Sequence, residues 1–381
     1  MPAPAGLKLR ISDITTRGFA VKMRCSFTRS RRVAVAALLA SMIHTGGASS
    51  RRTVSGGAAI SAPASPFQCT TFVLGREGET VLGKNLDWEL GAGLIVTHPR
   101  DGASGRPYAS ITCNQLGSDL PLGGINEAGL VVEELSFTPS RYPERGDLPA
   151  VDEFTWVQRQ LDRHGTVDEV VSALGDVAIV KEYMGLHYIV ADRTGDAAVI
   201  EFIGGRAVVR RGHDLPVPVL ANDTYDNSVR YLERHSGFGG SRMETGGTGS
   251  PERFVRAARR VREFTGSSDD PVTAAFAILD NVRQDDTQWS LVYDACRTVL
   301  HVRVRGRDDT RTIALDEQRL ERGSPVLVMG ITGEVPGAPP TRWTPWTVDI
   351  EMRLRELVRD VLSLDRTEKY PVVAPGGRAG P

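Results

Sequence analysis

Two short apolar runs separated by a glycine-bearing turn most strongly constrain how this chain can fold. The first run, residues 70–74, begins directly after Cys69 and has the β-branched and aromatic composition of a buried strand. Glycines stand at both ends of the turn at 75–78, and the second run, residues 80–83, is also largely apolar. This pattern predicts an antiparallel hairpin that starts at the cysteine.

The predicted hairpin brings a polar group beside the cysteine. Lys84, Asn85 and Asp87 follow the second run, and antiparallel pairing places them next to Cys69. If the chain is cut before Cys69, the thiol and a new α-amino group belong to one residue. Their ordinary pKa values, about 8.5 and about 7.7–8.0, allow the amine to take the thiol proton near neutral pH. The sequence therefore predicts a nucleophile that carries its own base.

The chain before Cys69 divides into two parts. Residues 1–49 contain a cluster of arginines, a short apolar run and then small residues, which is typical of a secretory signal region, with Met23 as an alternative start. A disordered basic tail is the other interpretation. Residues 50–68 are rich in Ser, Gly, Ala and Pro and predict a flexible linker or propeptide. We expect export to the periplasm or the medium, without a stable membrane span, because the apolar run is too short.

From Cys69 onward the pattern predicts one antiparallel α+β domain at residues 69–366, with a loose tail at 367–381. Strands, then helices, then strands, joined by hairpins, favour this class over a Rossmann fold. A clear hairpin is expected at 186–202. Helical spacing and caps predict helices at 152–164, 166–174, 250–264, 270–282 and 347–364, with Ser250 as the N-cap of the third.

Composition excludes several classes of function. The 46 basic and 47 acidic side chains almost cancel, so nothing suggests a nucleic-acid partner. The four cysteines form no CxxC pair, which argues against a zinc or redox motif, and no nucleotide motif is present. Cys113 and Cys296 either pair in an oxidising compartment or remain two buried thiols. No metal or cofactor is implied.

The block at 69–87 resembles the N-terminal nucleophile hydrolases of the choloylglycine hydrolase family, which includes bile salt hydrolases and penicillin V acylases. Later blocks resemble the same family in the same order, at 124–130, 186–201, 220–223, 252–254 and 287–290. The resemblance runs from Cys69 to about Val304. It implies a four-layer αββα sandwich of antiparallel sheets and often a homotetramer.

The resemblance also implies a role for each matching residue. Cys69 is the nucleophile that attacks an amide carbonyl, and Asp87 orients its α-amine. Asn222 donates its side-chain amide to the oxyanion, an effect worth roughly 3–4 kcal/mol where one such donor has been removed. Arg253 steadies the region of the nucleophile electrostatically.

Two positions depart from the family pattern. Lys84 stands where the family usually has an arginine, and a compact ammonium cannot offer a planar fork of donors. Ser136 stands where bile salt hydrolases carry Asn and penicillin acylases often Tyr. We expect its backbone N–H to serve the oxyanion hole and its side chain to line the substrate site. Both departures weaken an assignment to bile salts.

Two further patterns favour structural interpretations. His187 lies on an alternating strand, where a histidine is more often a satisfied structural residue than the partner of a catalytic cysteine. Glu133 and Glu134 are neighbours on a strand and should face opposite sides, so they do not predict a glycosidase pair.

Together these features predict an exported cysteine amidase for a linear, non-peptide amide of an acylated small amine. Penicillin V, N-acyl homoserine lactones, N-acyl amides and conjugated bile acids are the expected substrate types. Acyl transfer to an amine through the same acyl-enzyme is an alternative. A second alternative is an exported binding protein that has this fold and has lost catalysis.

Overall fold

The computed structural model describes residues 68–75, 78–264, 270–318 and 320–362. The predicted signal region, the linker up to residue 67 and the tail at 367–381 lie outside the described residues. The strands are β1 (Thr70–Leu74), β2 (Val81–Asp87), β3 (Leu94–His98), β4 (Ser110–Asn114), β5 (Pro121–Asn126), β6 (Val131–Ser136), β7 (Ala150–Val151), β8 (Ala178–Ile179), β9 (Leu186–Ala191), β10 (Ala197–Ile203), β11 (Arg206–Arg211), β12 (Val219–Leu220), β13 (Thr287–Asp294), β14 (Val299–Val304), β15 (Arg311–Ala314), β16 (Leu327–Gly330) and β17 (Thr344–Pro345). The helices are α1 (Glu153–Arg163), α2 (Val167–Ser172), α3 (Tyr225–Leu232), α4 (Ser250–Glu263), α5 (Pro271–Val282) and α6 (Val348–Leu362).

Two antiparallel sheets form the body of the described chain. One has the spatial order β12-β1-β2-β13-β14-β15, and the other has the order β11-β10-β9-β6-β5-β4-β3-β16-β17. The pairs within both sheets are antiparallel, whereas β7 and β8 form a separate parallel pair. The predicted antiparallel α+β class is therefore confirmed.

The two sheets face each other, and helices cover their outer sides. Helices α4 and α5 pack on the smaller sheet at β1 and β2, and α1 packs on the larger sheet at β5 and β6. Polar contacts cross the space between the sheets, from Lys84 to Glu133 and from Tyr293 to Cys113. The resulting order of helix, sheet, sheet and helix gives four layers.

Most of the predicted helices begin at the capping residues that the sequence indicated. Asp152 caps α1 by accepting from two backbone N–H groups, and Thr166 forms the predicted capping box of α2 with Glu169. Asp270 caps α5 by accepting from the backbone of Thr273. Helix α3 and strands β16 and β17 are elements that the sequence pattern did not predict.

The three described cysteines, Cys69, Cys113 and Cys296, are all free. The disulfide interpretation is therefore wrong for this structure. The Cys113 sulfur is buried and accepts from the Tyr293 hydroxyl at 3.7 Å, whereas half-buried Cys296 accepts from the backbone of Thr80 at 3.4 Å. Among the helices in the described ranges, none combines the length and the apolar character that a membrane crossing requires.

Candidate active site

Strand pairing places Asn222 directly beside Cys69. In the β1–β12 pair Thr71 lies opposite Leu220, so the continuing register brings Asn222 opposite Cys69. The Cys69 backbone nitrogen donates to Asn222 Oδ1 at 2.9 Å. The two residues are 153 positions apart in the chain, and a two-residue edge strand is enough to join them.

Asp87 reaches the other side of the cysteine through the hairpin. The Gln68 backbone N–H donates to the Asp87 carbonyl at 3.1 Å, which continues the pairing of β1 with β2. The Asp87 carboxylate accepts from the Thr287 hydroxyl and, at 2.6 Å, from Gln284 Nε2. In this chain, with Gln68 still attached, the carboxylate is therefore held by the first residue of β13 and by the loop before it, while the Cys69 nitrogen donates to Asn222.

The side chain of Asn222 is oriented by three partners. Its Oδ1 accepts from Cys69 and from Arg253 Nη2, at 2.9 and 2.7 Å, and its Nδ2 donates to the Ser136 carbonyl at 3.0 Å. Both donors require an acceptor, which fixes which end of the amide is oxygen. An amide carries two N–H groups, so within the described chain the second one is available for a developing oxyanion.

Ser250 has a different role from the one predicted. Helix α4 begins at Ser250 itself, and its N-cap is Gly249. The Ser250 hydroxyl instead accepts from the Asn222 backbone N–H at 2.9 Å. The N-cap expectation was wrong because a loop that is close only in the folded chain supplies a partner for this hydroxyl. The start of α4 thereby holds the Asn222 backbone.

Arg253, in the first turn of α4, lies completely buried beside the cysteine. Its guanidinium makes five hydrogen bonds, to Thr70 Oγ1, Gln68 Oε1, the Thr248 carbonyl, the Cys69 carbonyl and Asn222 Oδ1. All five guanidinium donors are thus matched by acceptors, which a lysine could not achieve. The arginine links the residue before the cysteine, the cysteine and the asparagine into one rigid group.

Lys84 points from β2 across to the facing sheet. Its Nζ donates to Glu133 Oε2 at 2.6 Å and to the Glu134 carbonyl at 2.8 Å, and Glu134 Oε1 is 3.5 Å away. Both glutamates therefore contact the Lys84 ammonium, although they are neighbours on one strand. Burial by itself would lower the pKa of Lys84, but the two carboxylates raise it above its ordinary value, so the lysine stays charged.

Removing the charge of Lys84 is expected to destabilise the fold. In Lys84→Met the buried carboxylate of Glu133 loses its partner, and breaking a buried pair in this way costs about 3–5 kcal/mol. Urea unfolding of Lys84→Met and of Lys84→Met/Glu133→Leu measures the effect. The double variant should recover the part of the loss that comes from Glu133, because no unpaired charge remains at position 133. Equal stability of Lys84→Met and the wild type would contradict the pairing.

The Cys69 thiol is not activated by its surroundings alone. Burial raises its pKa to about 12, and the charges of Glu134 and Asp87 add to this, although Lys84 and the main chain of Asp87 act in the opposite direction. The thiol is therefore protonated at neutral pH in the uncleaved chain. A base in direct contact is required, and the α-amine released by a cut before Cys69 would be one.

The site also uses residues whose roles the sequence did not reveal. Thr287 and Gln284 hold Asp87, Thr70 accepts from Arg253, and Ser250 holds Asn222. Two of these residues lie in blocks that carry the resemblance, Thr70 in 69–87 and Thr287 in 287–290. Each side chain of the second block bonds to the segment 85–91: Thr287 to Asp87, Gln288 to the Trp88 carbonyl, Trp289 to the Gly91 carbonyl and Ser290 to Asn85.

The structure brings Cys69, Asp87, Asn222 and Arg253 into one connected group, with Lys84 reaching the facing sheet. Ser136, the last residue of β6, joins this group through its carbonyl. Within the described ranges, no cluster of three or more His, Cys, Asp or Glu side chains has the arrangement of a metal site. The arrangement can hold a thiol, an amine and an oxyanion donor together, and acyl transfer through a thioester requires these three groups.

Comparison with known proteins shows which family the chain resembles. The family model described as linear amide C–N hydrolases, choloylglycine hydrolase family, matches residues 69–320. Penicillin V acylase from Pectobacterium atrosepticum is 28% identical over 225 residues, covering 55% of this chain and 56% of that protein. A bile salt hydrolase/transferase from Bifidobacterium longum subsp. longum is 28% identical over 258 residues, covering 55% of this chain and 79% of that protein.

The fold agrees with a solved relative. The structure of penicillin V acylase from Agrobacterium tumefaciens matches with a TM-score of 0.60 and 26% identity, covering 68% of this chain and 91% of that one. The predicted four-layer sandwich is confirmed by this likeness. Against the acylase from Pectobacterium atrosepticum, by contrast, the chain spans little more than half of that relative's length.

Proposed function

The chain belongs to the choloylglycine hydrolase family of linear amide C–N hydrolases, and we propose that it is a cysteine amidohydrolase acting on acylated small amines. The observation that carries the proposal is the hydrogen bond from the Cys69 nitrogen to Asn222 Oδ1. This bond puts the future α-amine, the thiol and an amide donor in one small site. These are the nucleophile, the base and the oxyanion donor that amide cleavage requires.

The proposed reaction proceeds through a thioester. Once the preceding residues are removed, Cys69 Sγ attacks the substrate carbonyl carbon and its proton passes to the α-amine. The carbonyl oxygen becomes an oxyanion that accepts from the second N–H of Asn222. The C–N bond then breaks as the α-ammonium gives its proton to the leaving amine. Water attacks the thioester, the α-amine takes the water proton, and the acid leaves as the thiol is restored.

The positions of the two cations support this sequence of steps. Arg253 bonds to the carbonyl of Cys69 and to Asn222 Oδ1, so it holds the amide whose other end faces the oxyanion. Lys84 is close enough to lower the pKa of the Cys69 thiol. Asp87 supplies a carboxylate that stabilises the α-ammonium as it forms. We propose these roles for Arg253, Lys84 and Asp87, with Ser136 at the edge of the acyl site.

The substrate class can be tested with a panel of amides. The relatives are named for penicillin V and for bile salts, and the panel therefore contains penicillin V and glycocholate, with N-acyl homoserine lactones and N-acyl ethanolamines as the other expected types. Amine release by mature protein that begins at Cys69, verified by intact mass, measures hydrolysis. If that protein releases no amine from any amide of the panel, the hydrolase proposal fails, and the result favours a binding protein that has lost catalysis.

Acyl transfer is the second candidate, because one relative is named a bile salt hydrolase/transferase. The same thioester would be attacked by an amine in place of water. Product analysis by mass spectrometry with added glycine separates the two reactions. A new N-acyl glycine that increases with glycine concentration would indicate transfer, whereas free acid alone would indicate hydrolysis.

The pH dependence of the reaction should report on Asp87. Burial raises the pKa of this carboxyl to about 6, although the hydrogen bonds from Thr287 and Gln284 lower it. The carboxylate is ionised above this pH and protonated below it, so kcat/KM should fall as the pH decreases through about 6. Thr287→Val removes a hydrogen bond that favours the ionised form of Asp87. The pH at which kcat/KM falls should therefore rise by about 1 unit in this variant. Thr312→Val, on the surface strand β15, is the matched control. If kcat/KM falls at the same pH in Thr287→Val as in the wild type, Asp87 is excluded as the cause of the fall.

Export and assembly remain proposals from the sequence. The arginine-rich start, apolar run and small residues within 1–49 support a secretory signal, and 50–68 supports a segment that is removed. N-terminal sequencing of protein recovered outside the cytoplasm should give Cys69 as the first residue. A mature chain that still carries Gln68 would contradict the proposed base. A homotetramer is checked by light scattering.

A further inference from the structure

Next to the site lies a buried pair, His187 on β9 and Glu201 on β10. His187 is fully buried and Glu201 is 1% exposed, and Nδ1 of the histidine lies 3.4 Å from Oε1 of the glutamate. A carboxylate only accepts, so Nδ1 carries the hydrogen in this pair. His187 is only partly satisfied, because its Nε2 has no hydrogen-bond partner in the described part of the chain.

Glu201 holds the loop that carries Asn222. Its Oε1 also accepts from the Tyr225 backbone N–H at 3.0 Å, three residues beyond Asn222 at the start of α3. The Tyr225 hydroxyl in turn donates to the Val217 carbonyl at 2.8 Å, on the other side of the same loop. The glutamate therefore fixes a residue that closes the loop around the asparagine.

His187 holds the strand end that receives the Asn222 amide. Its ring stacks on Phe137, with centroids 4.6 Å apart and planes 9° from parallel. Phe137 directly follows Ser136, whose carbonyl accepts from Asn222 Nδ2 at 3.0 Å. The histidine and the glutamate thus contact the two segments that meet in this hydrogen bond, one on each side.

We propose that His187 and Glu201 form a positioning pair that aims the Asn222 amide at the oxyanion. This inference rests on the proposed function, because it assumes that Asn222 is the oxyanion donor. The pair touches neither the thiol nor the substrate carbonyl. The pair links the two segments that carry Ser136 and Asn222, and the distance between them sets the direction of the second N–H of the Asn222 amide. This direction matters because a displacement of about 1 Å at a reacting group can cost about 10²-fold in rate.

Two reactions of Cys69 distinguish this role from a general structural one. Acylation by p-nitrophenyl acetate develops an oxyanion and releases nitrophenolate, whereas alkylation by iodoacetamide develops none. Both are measured on mature protein that begins at Cys69. In His187→Phe, which keeps the stacking and loses the donor, we expect acylation to slow about 10- to 100-fold, since loss of a whole oxyanion donor costs about 10²–10³-fold. Alkylation should stay within about twofold.

The remaining variants test whether the two residues act as a unit. Glu201→Gln keeps an acceptor for Tyr225 and should slow acylation less than about fivefold, whereas Glu201→Ala should match His187→Phe. The double variant His187→Phe/Glu201→Ala should be no slower than about twice either single variant, because residues that act together are not additive. His301→Phe, a histidine on β14, is the matched control and should change neither rate.

The outcomes separate this inference from the proposed function. Equal slowing of acylation and alkylation, fully additive losses, or wild-type acylation in His187→Phe would each overturn the positioning role. The nitrophenyl ester needs no natural substrate, so the comparison stands even if the wild type hydrolyses none of the amides. If His187→Phe unfolds at the assay temperature, the same comparison in Glu201→Gln and Glu201→Ala decides: equal acylation rates in those two overturn the pair.

Discussion

Replacing Cys69 with alanine should abolish amide hydrolysis, with a loss of about 10⁴- to 10⁶-fold in kcat. The expected size follows from the loss of the nucleophile in enzymes that act through a covalent intermediate. The buried position of the cysteine explains why no neighbouring group replaces it: the residue is 1% exposed, and the other described cysteines lie elsewhere in the fold. Amine release from the best substrate of the panel measures the loss.

Cys296→Ser is the matched control for this experiment. Its thiol is half-buried and free, and it contacts backbone groups of Thr80 and Arg193 outside the site. Hydrolysis by this variant should equal that of the wild type within about twofold. Full hydrolysis by Cys69→Ala, or a loss in Cys296→Ser as large as the one in Cys69→Ala, would reject Cys69 as the nucleophile. Intact mass after a brief substrate pulse should also show the acyl adduct in the wild type and in Cys296→Ser, but not in Cys69→Ala.

Replacing Asn222 with aspartate should lower kcat by about 10²–10³-fold while KM changes little. The aspartate keeps an oxygen for the Cys69 nitrogen and for Arg253 Nη2, and it replaces the Nδ2 donor with a second oxygen. The oxyanion then loses its donor and faces a negative charge, which acts on the transition state rather than on substrate binding. Steady-state kinetics separate the two parameters.

Asn227→Asp provides the control for added negative charge near the same loop. Asn227 is exposed on α3, and its amide bonds to Asp223 rather than to the cysteine or Ser136. We expect its kcat to remain within about threefold of the wild type. Should Asn222→Asp raise KM and leave kcat unchanged, Asn222 would contribute to binding rather than to oxyanion stabilisation.

Short-range sequence signals predicted much of the fold. The hairpin at 186–202 and the helix starts at Asp152, Thr166 and Asp270 all follow from chemistry within a few residues, such as a side chain that accepts from backbone N–H groups two or three positions later. Alternation of apolar residues indicated which segments form strands. These features need no knowledge of distant contacts, so one sequence is sufficient to predict them.

Long-range partners could not be predicted in the same way. Lys84 and Glu133 are 49 positions apart, and the pattern argued only that adjacent glutamates face opposite sides. The long, flexible lysine side chain reaches both of them across the space between the sheets. Ser250 was predicted to be a helix N-cap because its neighbours in the sequence fit that role. In the structure its hydroxyl accepts from the Asn222 backbone N–H instead. Nothing local distinguishes the two outcomes.

The amino-acid sequence alone determined the antiparallel hairpin that begins at Cys69, the order of strands and helices, and the residues that the resemblance singled out for the site. Only the tertiary structure decided which acceptors Arg253 meets, which carboxylates balance Lys84, and how His187 and Glu201 contact both sides of Asn222. The physical reason is that caps and turns are set by neighbours along the chain. The hydrogen bonds of a buried site depend on which distant segments the packing of two sheets brings within about 3 Å of one another.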